Sequence, residues 1–258
     1  METDDDKKFV FLKRFNLAMF VLHISQVFLI LRLSNDFSLP VTYLKPVYDT
    51  ATMTISPVAE TLFEIKIAPL IALFLLISAA AHVFIGTFLY EKYVKNLKKG
   101  MNPYRWYEYS VSASLMIVII AMLTTIYDAG TLIALFTLTA VMNLMGLMME
   151  LYNQYTEKTN WTAYIIGCIA GFVPWVVIFI SLLSGTGTSG ESVPDFVIGI
   201  FVTIAIFFNL FAINMVLQYK KVGKWKDYLY GEKMYIVLSL VAKSALAWQV
   251  FAGTLRPA

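Results

Sequence analysis

The chain has 258 residues, 59% of them hydrophobic and 14% charged, with a formal net charge of +3. A soluble domain carries about 25% charged residues and has no means of hiding so much apolar surface, so soluble classes are excluded. An integral membrane protein remains, provided the apolar residues come in runs of about 20, the length of a spanning helix.

Such runs recur along the chain. The opening "METDDDKK" is too charged for a cleavable signal peptide, so the first helix, about 9–33, is expected to stay in place. The segment 34–66, "SNDFSLPVTYLKPVYDTATMTISPVAETLFEIK", alternates β-branched and aromatic residues between prolines. It predicts a short β-hairpin, either an ordered lid over the outer mouth of the bundle or a subunit contact. A second helix is expected over 67–90. The third, over 103–127, opens on Asn102-Pro103, a cap residue followed by a first-turn proline. The fourth is expected over 130–152 and the fifth over 160–183, which holds the single cysteine, Cys168, and so no internal disulfide. "GTGTSGES" at 185–192 reads as a loop, and Pro194 opens the sixth helix, over 194–219. The seventh, over 230–256, is interrupted only by Lys243. No run alternates as a barrel strand does. The expected fold is an all-α, seven-helix transmembrane bundle, 1–258 being one domain.

The basic residues set an orientation. Fifteen of the 20 Lys and Arg fall on the side of the N-terminus: Lys7, Lys8, Lys13, Arg14, Lys92, Lys95, Lys98, Lys99, Arg105, Lys158, Lys220, Lys221, Lys224, Lys226 and Lys233. Four, Arg32, Lys45, Lys66 and Arg256, fall on the other. The N-terminus is therefore expected in the cytoplasm and the C-terminus outside, in a multi-pass protein of the cell membrane.

An ionisable side chain at mid-membrane costs roughly 2.5–3.5 kcal/mol on insertion scales, so each needs a reason. The deep ones are Lys243, Glu108, His23 and His82, whereas Glu150 and Asp128 fall at helix ends, where snorkelling to the interface suffices. At 1.5 Å per residue, Glu108 lies about 8 Å inside its helix and Lys243 about 15 Å inside its own. Side chains lean toward the N-terminus of their helix, so Lys243 points back toward Glu108. Three readings stay open. The two form a buried ion pair that fixes helix register; they are the coupled pair of a non-pigmented transporter; or the lysine amine forms a Schiff base with an apolar aldehyde. Ser239 one turn before Lys243, Trp248 just over a turn after it, Ser112 and Met116 on the face of Glu108, Phe172 and Trp175 in "GFVPW", and Phe208 in "FFN" supply a lining for such a ligand. Each aromatic alone is ordinary helix packing.

Seven helices with a lysine in the last and a carboxylate in the third resemble a retinal-binding microbial rhodopsin. The inverted orientation, "RWYEYSVSASLMIV" at 105–118, "GCIAGFVPW" at 167–175 and "YIVLSLVAKSALAWQVFAGTL" at 235–255 are similar to a heliorhodopsin in particular, along essentially the whole chain. The resemblance implies all-trans retinal bound covalently at Lys243, with Glu108 as counterion keeping the Schiff base protonated and Ser239 and Ser112 flanking it. It also implies a polar cluster of His23, Gln26, Ser78 and His82, in which each histidine otherwise has an ordinary structural role. Pumping rhodopsins have a second acid where Ser239 stands, and proton pumps commonly an internal donor where Ile119 stands. The resemblance therefore implies a light sensor with neither enzyme activity nor pumping, in which isomerisation to 13-cis drives a conformational signal. The expected partners are retinal, the lipid bilayer, a second copy in a homodimer and a signalling partner of unknown identity, with no nucleic acid. The rival function is a light-gated or light-driven ion transporter on the same scaffold.

Overall fold

A computed structural model describes residues 4–184 and 194–257; the expected loop at 185–192 lies outside them. Seven helices among these residues are long and apolar enough to cross a membrane. They are α1 (Asp4–Leu33), α2 (Ile67–Gly86), α4 (Pro103–Leu123), α5 (Ala129–Tyr152), α6 (Thr162–Ser184), α7 (Asp195–Tyr219) and α8 (Tyr228–Val250). An eighth, α3 (Tyr90–Leu97), is too short to span and lies in the connection between α2 and α4.

Local chemistry marks the helix starts. The Asn102 side chain accepts from the Arg105 amide and Pro103 occupies the first turn of α4. Asp128 accepts from the amide of Thr131 at 2.7 Å, and Asp227 from that of Leu229 at 2.9 Å, which caps α5 and α8. Several boundaries differ from the hydropathy runs; the first helix begins at Asp4 instead of about 9. The second helix stops at Gly86 instead of 90, because the chain turns there into α3. The third stops at Leu123 instead of 127, where Thr125 takes a positive φ of 68°. The seventh starts at Tyr228, and past Val250 its last residues, Phe251–Leu255, widen into a π-turn. Hydropathy detects apolar runs and cannot see a backbone turn inside one.

In chain order α1 packs on α2, α2 on α4, α4 on α5, α5 on α6 and α7 on α8, which returns to α1. The seam between α6 and α7 is loose by comparison. At Gly86 a Cβ would come within 2.8 Å of Leu17, so glycine is what lets α1 and α2 approach closely.

The hairpin is larger than expected and is not a lid. Strands β1 (Ser38–Asp49) and β2 (Thr54–Lys66) pair antiparallel, with an irregularity between Val41 and Thr42. The Thr42 amide donates to the Tyr127 carbonyl at 2.8 Å, anchoring β1 on the α4–α5 turn. From Tyr43 to the hairpin tip and back along β2 as far as Glu64, both strands are exposed, so the sheet runs off the bundle edge instead of covering its mouth. Leu44, Pro46 and Tyr48 pair with Ala59, Pro57 and Ile55, a sheet face with no bundle surface against it.

Candidate functional site

Lys243 sits on the buried face of α8 that also carries Glu232, Tyr235, Ser239 and Leu246, at helical spacing. Its Nζ donates to Glu108 Oε1 on α4 at 2.8 Å and to Ser239 Oγ at 2.9 Å. The bond to Ser239, one turn back, demonstrates the N-terminal lean of the side chain. Both charged side chains are buried, 3% and 8% exposed. Helices α4 and α8 do not pack backbone to backbone here; they meet through side chains, which leaves space between them.

Two further groups surround the pair. The ammonium lies over the ring of Tyr109, 5.0 Å from its centre, and the Tyr109 hydroxyl donates to the Tyr235 carbonyl at 3.0 Å. On the other side Ser78 of α2 donates to Glu108 Oε1 at 2.6 Å. Glu108 thus receives a hydroxyl and an ammonium on one oxygen, an arrangement suited to a carboxylate.

The histidines lie behind Ser78. His23 of α1 stacks on His82 of α2 with ring centres 5.5 Å apart. His82 Nδ1 is 2.8 Å from Asn16 Oδ1, and Asn16 Nδ2 donates to the Leu12 carbonyl. The second bond orients the amide, so His82 Nδ1 carries the hydrogen and Nε2 is left to accept. Both nitrogens of His23 are buried without a hydrogen-bond partner among the described residues, as is Gln26 Oε1. Both rings are within electrostatic reach of Lys243. Asn16 was missed by sequence reasoning; its signal was there, seven residues before His23 on the same helix face.

Beside the lysine is a cavity of about 50 Å³, lined by Tyr109, Ser112, Met116, Met142, Phe208, Phe211, Ser239 and Lys243 among others. Ser112 is buried there, with a hydroxyl that completes no hydrogen bond among the described residues. Met142, Asn143, Phe208 and Phe211 also border a larger groove of about 700 Å³ between α5, α6 and α7, at the loose seam. Trp175 lines this groove and packs against Phe201 and Phe208 at 5.6 and 5.3 Å. Phe172 also lines the groove, at its rim, 68% exposed. Trp248 borders neither space and packs on Phe251. Five residues rotate a helix by about 140° beyond a full turn, which takes Trp248 off the face of Lys243.

A second buried ionic group was not foreseen. Arg105 of α4 pairs with both Glu150 of α5 and Glu232 of α8, all three almost fully buried. Glu150 also accepts from the Asn102 amide at 2.8 Å and from Trp106 Nε1 at 2.8 Å. Glu232 accepts from Asn102 Nδ2 at 2.7 Å and from Tyr93 of α3 at 3.0 Å. Arg105 stacks over Tyr235, 3.8 Å from the ring centre. The expectation that Glu150 snorkels to the interface is therefore wrong: it turns inward because a guanidinium and two N–H donors are there to receive it. Counting charge near helix ends could not reveal this, since inward and outward orientations look alike in sequence.

A sequence model of the family described as heliorhodopsin matches residues 12–255. Among solved structures, the crystal structure of Exiguobacterium sibiricum rhodopsin is similar, with a TM-score of 0.65 and 16% identity over 94% of this chain and 95% of that one. At that identity the likeness concerns the fold. Comparison with curated proteins gives no match.

Proposed function

Because the chain belongs to the heliorhodopsin family, whose members are retinal-binding and light-responsive, we propose that it is a light sensor carrying all-trans retinal on Lys243, with Glu108 as counterion. The observation that carries this reading is the ammonium itself: buried mid-span, paired with one carboxylate, and bordering a small cavity that shares Met142, Asn143, Phe208 and Phe211 with the larger groove between α5, α6 and α7. A lysine amine beside a cavity of about 50 Å³, which shares four lining residues with a groove of about 700 Å³, fits a long apolar aldehyde. Met116, Phe208 and Trp175 supply apolar walls to it.

Retinal, when bound as a protonated Schiff base, supplies light absorption and the all-trans to 13-cis change of shape. The residues of the chain do the rest. Glu108 balances the positive charge on the Lys243 nitrogen and accepts its hydrogen, while Ser78 holds the carboxylate from the far side. Ser239 offers the nitrogen a neutral oxygen, and Ser112 a buried hydroxyl beside Glu108. When the nitrogen's hydrogen turns away from Glu108, a proton released there is held among His82, His23, Asn16 and Gln26 and is not passed across the membrane. Displacement of α4 against α8 then biases the end of the bundle that carries most of the lysines, where a signalling partner would read it. In this reading that end is cytoplasmic, the C-terminus is outside in a cell membrane, 1–258 is one functional domain, and two copies form a homodimer.

The same scaffold as a light-driven or light-gated ion transporter is the second reading, and the uncharged Ser239 and Ile119 argue against it. Addition of all-trans retinal to the purified apoprotein tests the proposal. A visible absorption band is expected, and Lys243→Ala should lack it while still eluting as a folded membrane protein. No band in the unsubstituted protein would overturn the pigment reading altogether.

A further inference from the structure

The connection between α2 and α4 and that between α7 and α8 contain unpaired charge that the proposed photochemistry does not use. The first, Thr87–Lys99, carries Lys92, Lys95, Lys98 and Lys99 against a single acid, Glu91. The second, "KKVGKWK" at 220–226, carries Lys220, Lys221, Lys224 and Lys226 and no acid. All of these lysines are exposed, and none is in an ion pair among the described residues.

The fold gathers them on one surface. α3 turns Tyr93 and Leu97 into the protein, where the Tyr93 hydroxyl reaches Glu232, so Lys92, Lys95 and Lys99 occupy the outward face. Gly100, next to Lys99, abuts the ring of Tyr228, two residues past Lys226. The Lys98 ammonium lies over Phe9 of α1, 5.5 Å from the ring centre, closing the surface on its third side. Large apolar groups edge it: Phe88, 84% exposed where α2 gives way to α3, and Val222 in the other connection. Trp225 sits between Lys224 and Lys226, half-buried against Tyr230.

We infer that this surface docks on anionic lipid headgroups of the adjoining leaflet. The loop lysines begin six residues after α2 ends and directly after α7 ends, next to the ends of two membrane-spanning helices, where positive charge complements anionic headgroups. A soluble acidic partner would be met by the lysines equally well, but it gives no use to Phe88 and Val222, large apolar side chains left exposed in the same two connections. Charge asymmetry alone is accounted for by the rules of membrane insertion. The arrangement of an amphipathic surface helix and a second basic turn held against each other is not required by them. The inference concerns the outer surface of the protein and does not depend on retinal.

The test uses the full chain in nanodiscs of phosphatidylcholine containing a minor fraction of phosphatidylglycerol, with spin-labelled versions of each lipid as probes. Preferential retention of phosphatidylglycerol is expected, about five-fold for each lysine fully engaged, the equivalent of about 1 kcal/mol. It should collapse in about 1 M salt. Replacing Lys92, Lys95, Lys98 and Lys99 by Gln, and Lys220, Lys221, Lys224 and Lys226 by Gln, should each weaken the preference and together remove it. The same positions changed to Arg should keep it, and Lys45→Gln with Lys66→Gln on the hairpin should leave it unchanged. Equal retention of both lipids by the unsubstituted protein, or a preference that survives loss of all eight lysines, would overturn the inference.

Discussion

At the scale of single residues, the two ends of the Lys243–Glu108 pair are not equivalent. Lys243 has two acceptors, Glu108 and Ser239, whereas Glu108 receives Ser78 and Lys243 on the same oxygen. Glu108→Gln keeps the volume and removes the charge, so the reconstituted pigment should absorb at longer wavelength, or near the ultraviolet if the nitrogen gives up its proton. An absorption maximum identical to that of the unsubstituted protein would refute the counterion role. His82 has a different function in the geometry. Its Nδ1 is committed to Asn16, so Asn16→Leu should release the ring and alter the lifetime of the deprotonated photoproduct without abolishing the dark band, as flash photolysis would register. An unchanged lifetime would mean that the cluster takes no part in holding the proton. The lysine and its carboxylate could be singled out in the sequence because charge inside an apolar run is conspicuous. Asn16, an uncharged residue, was not, and Trp248 misled because nearness in sequence was taken for a shared face.

At the scale of elements, the Arg105 group ties α3, α4, α5 and α8 together at the basic end of the bundle. One guanidinium serves two carboxylates, so the group is unbalanced by one negative charge, and its neutral donors, Asn102, Trp106 and Tyr93, spread that excess. Arg105→Met would leave two buried carboxylates without a cation, a loss of about 3–5 kcal/mol by analogy with broken buried pairs. Glu150→Gln, which leaves a one-to-one pair, should be the milder change. Thermal denaturation in detergent orders the two, and the reverse order would contradict this account of the charge balance. Lys45→Ala, which removes only the exposed 3.5 Å pair with Glu60, should change stability by less than about 1 kcal/mol. Helix existence was legible in the hydropathy runs, and the α4 start in its Asn102 cap, whereas the Asp128 and Asp227 caps of α5 and α8 emerged only in the structure. The turn after Gly86 was not, because Thr87, Phe88 and Leu89 continue the apolar run through the bend.

At the scale of the whole molecule, the fold has one loose seam and one polar column. The seam, between α6 and α7, opens an apolar groove to the lipid side. The column runs from the Arg105 group through Tyr235 and Tyr109 to Lys243 and Glu108, and ends sideways at Ser78, one turn before His82 on α2. On the hairpin side of Lys243 Ile117, Ile120, Leu246 and Val250 belong to one buried apolar cluster, and among the described residues none of the buried acids lies in it. Illumination of cells or proteoliposomes holding the pigment should accordingly produce no sustained current or pH change, and a sustained photocurrent would favour the transporter reading instead. Protease or dye access at the two termini in sealed vesicles would likewise check the proposed orientation.

Seven spans, their order and the chemical identity of the central pair were determined by the sequence alone, because hydropathy and charge are local properties of a chain that must satisfy its backbone within lipid. Tertiary structure decided everything that depends on how each helix is rotated and where it meets the next. It turned Glu150 inward to Arg105, carried the hairpin past the bundle edge, set Phe172 on a rim and joined two distant lysine clusters into one surface. A one-dimensional pattern specifies which face of a helix is apolar. Which neighbour that face meets is settled only when the helices pack.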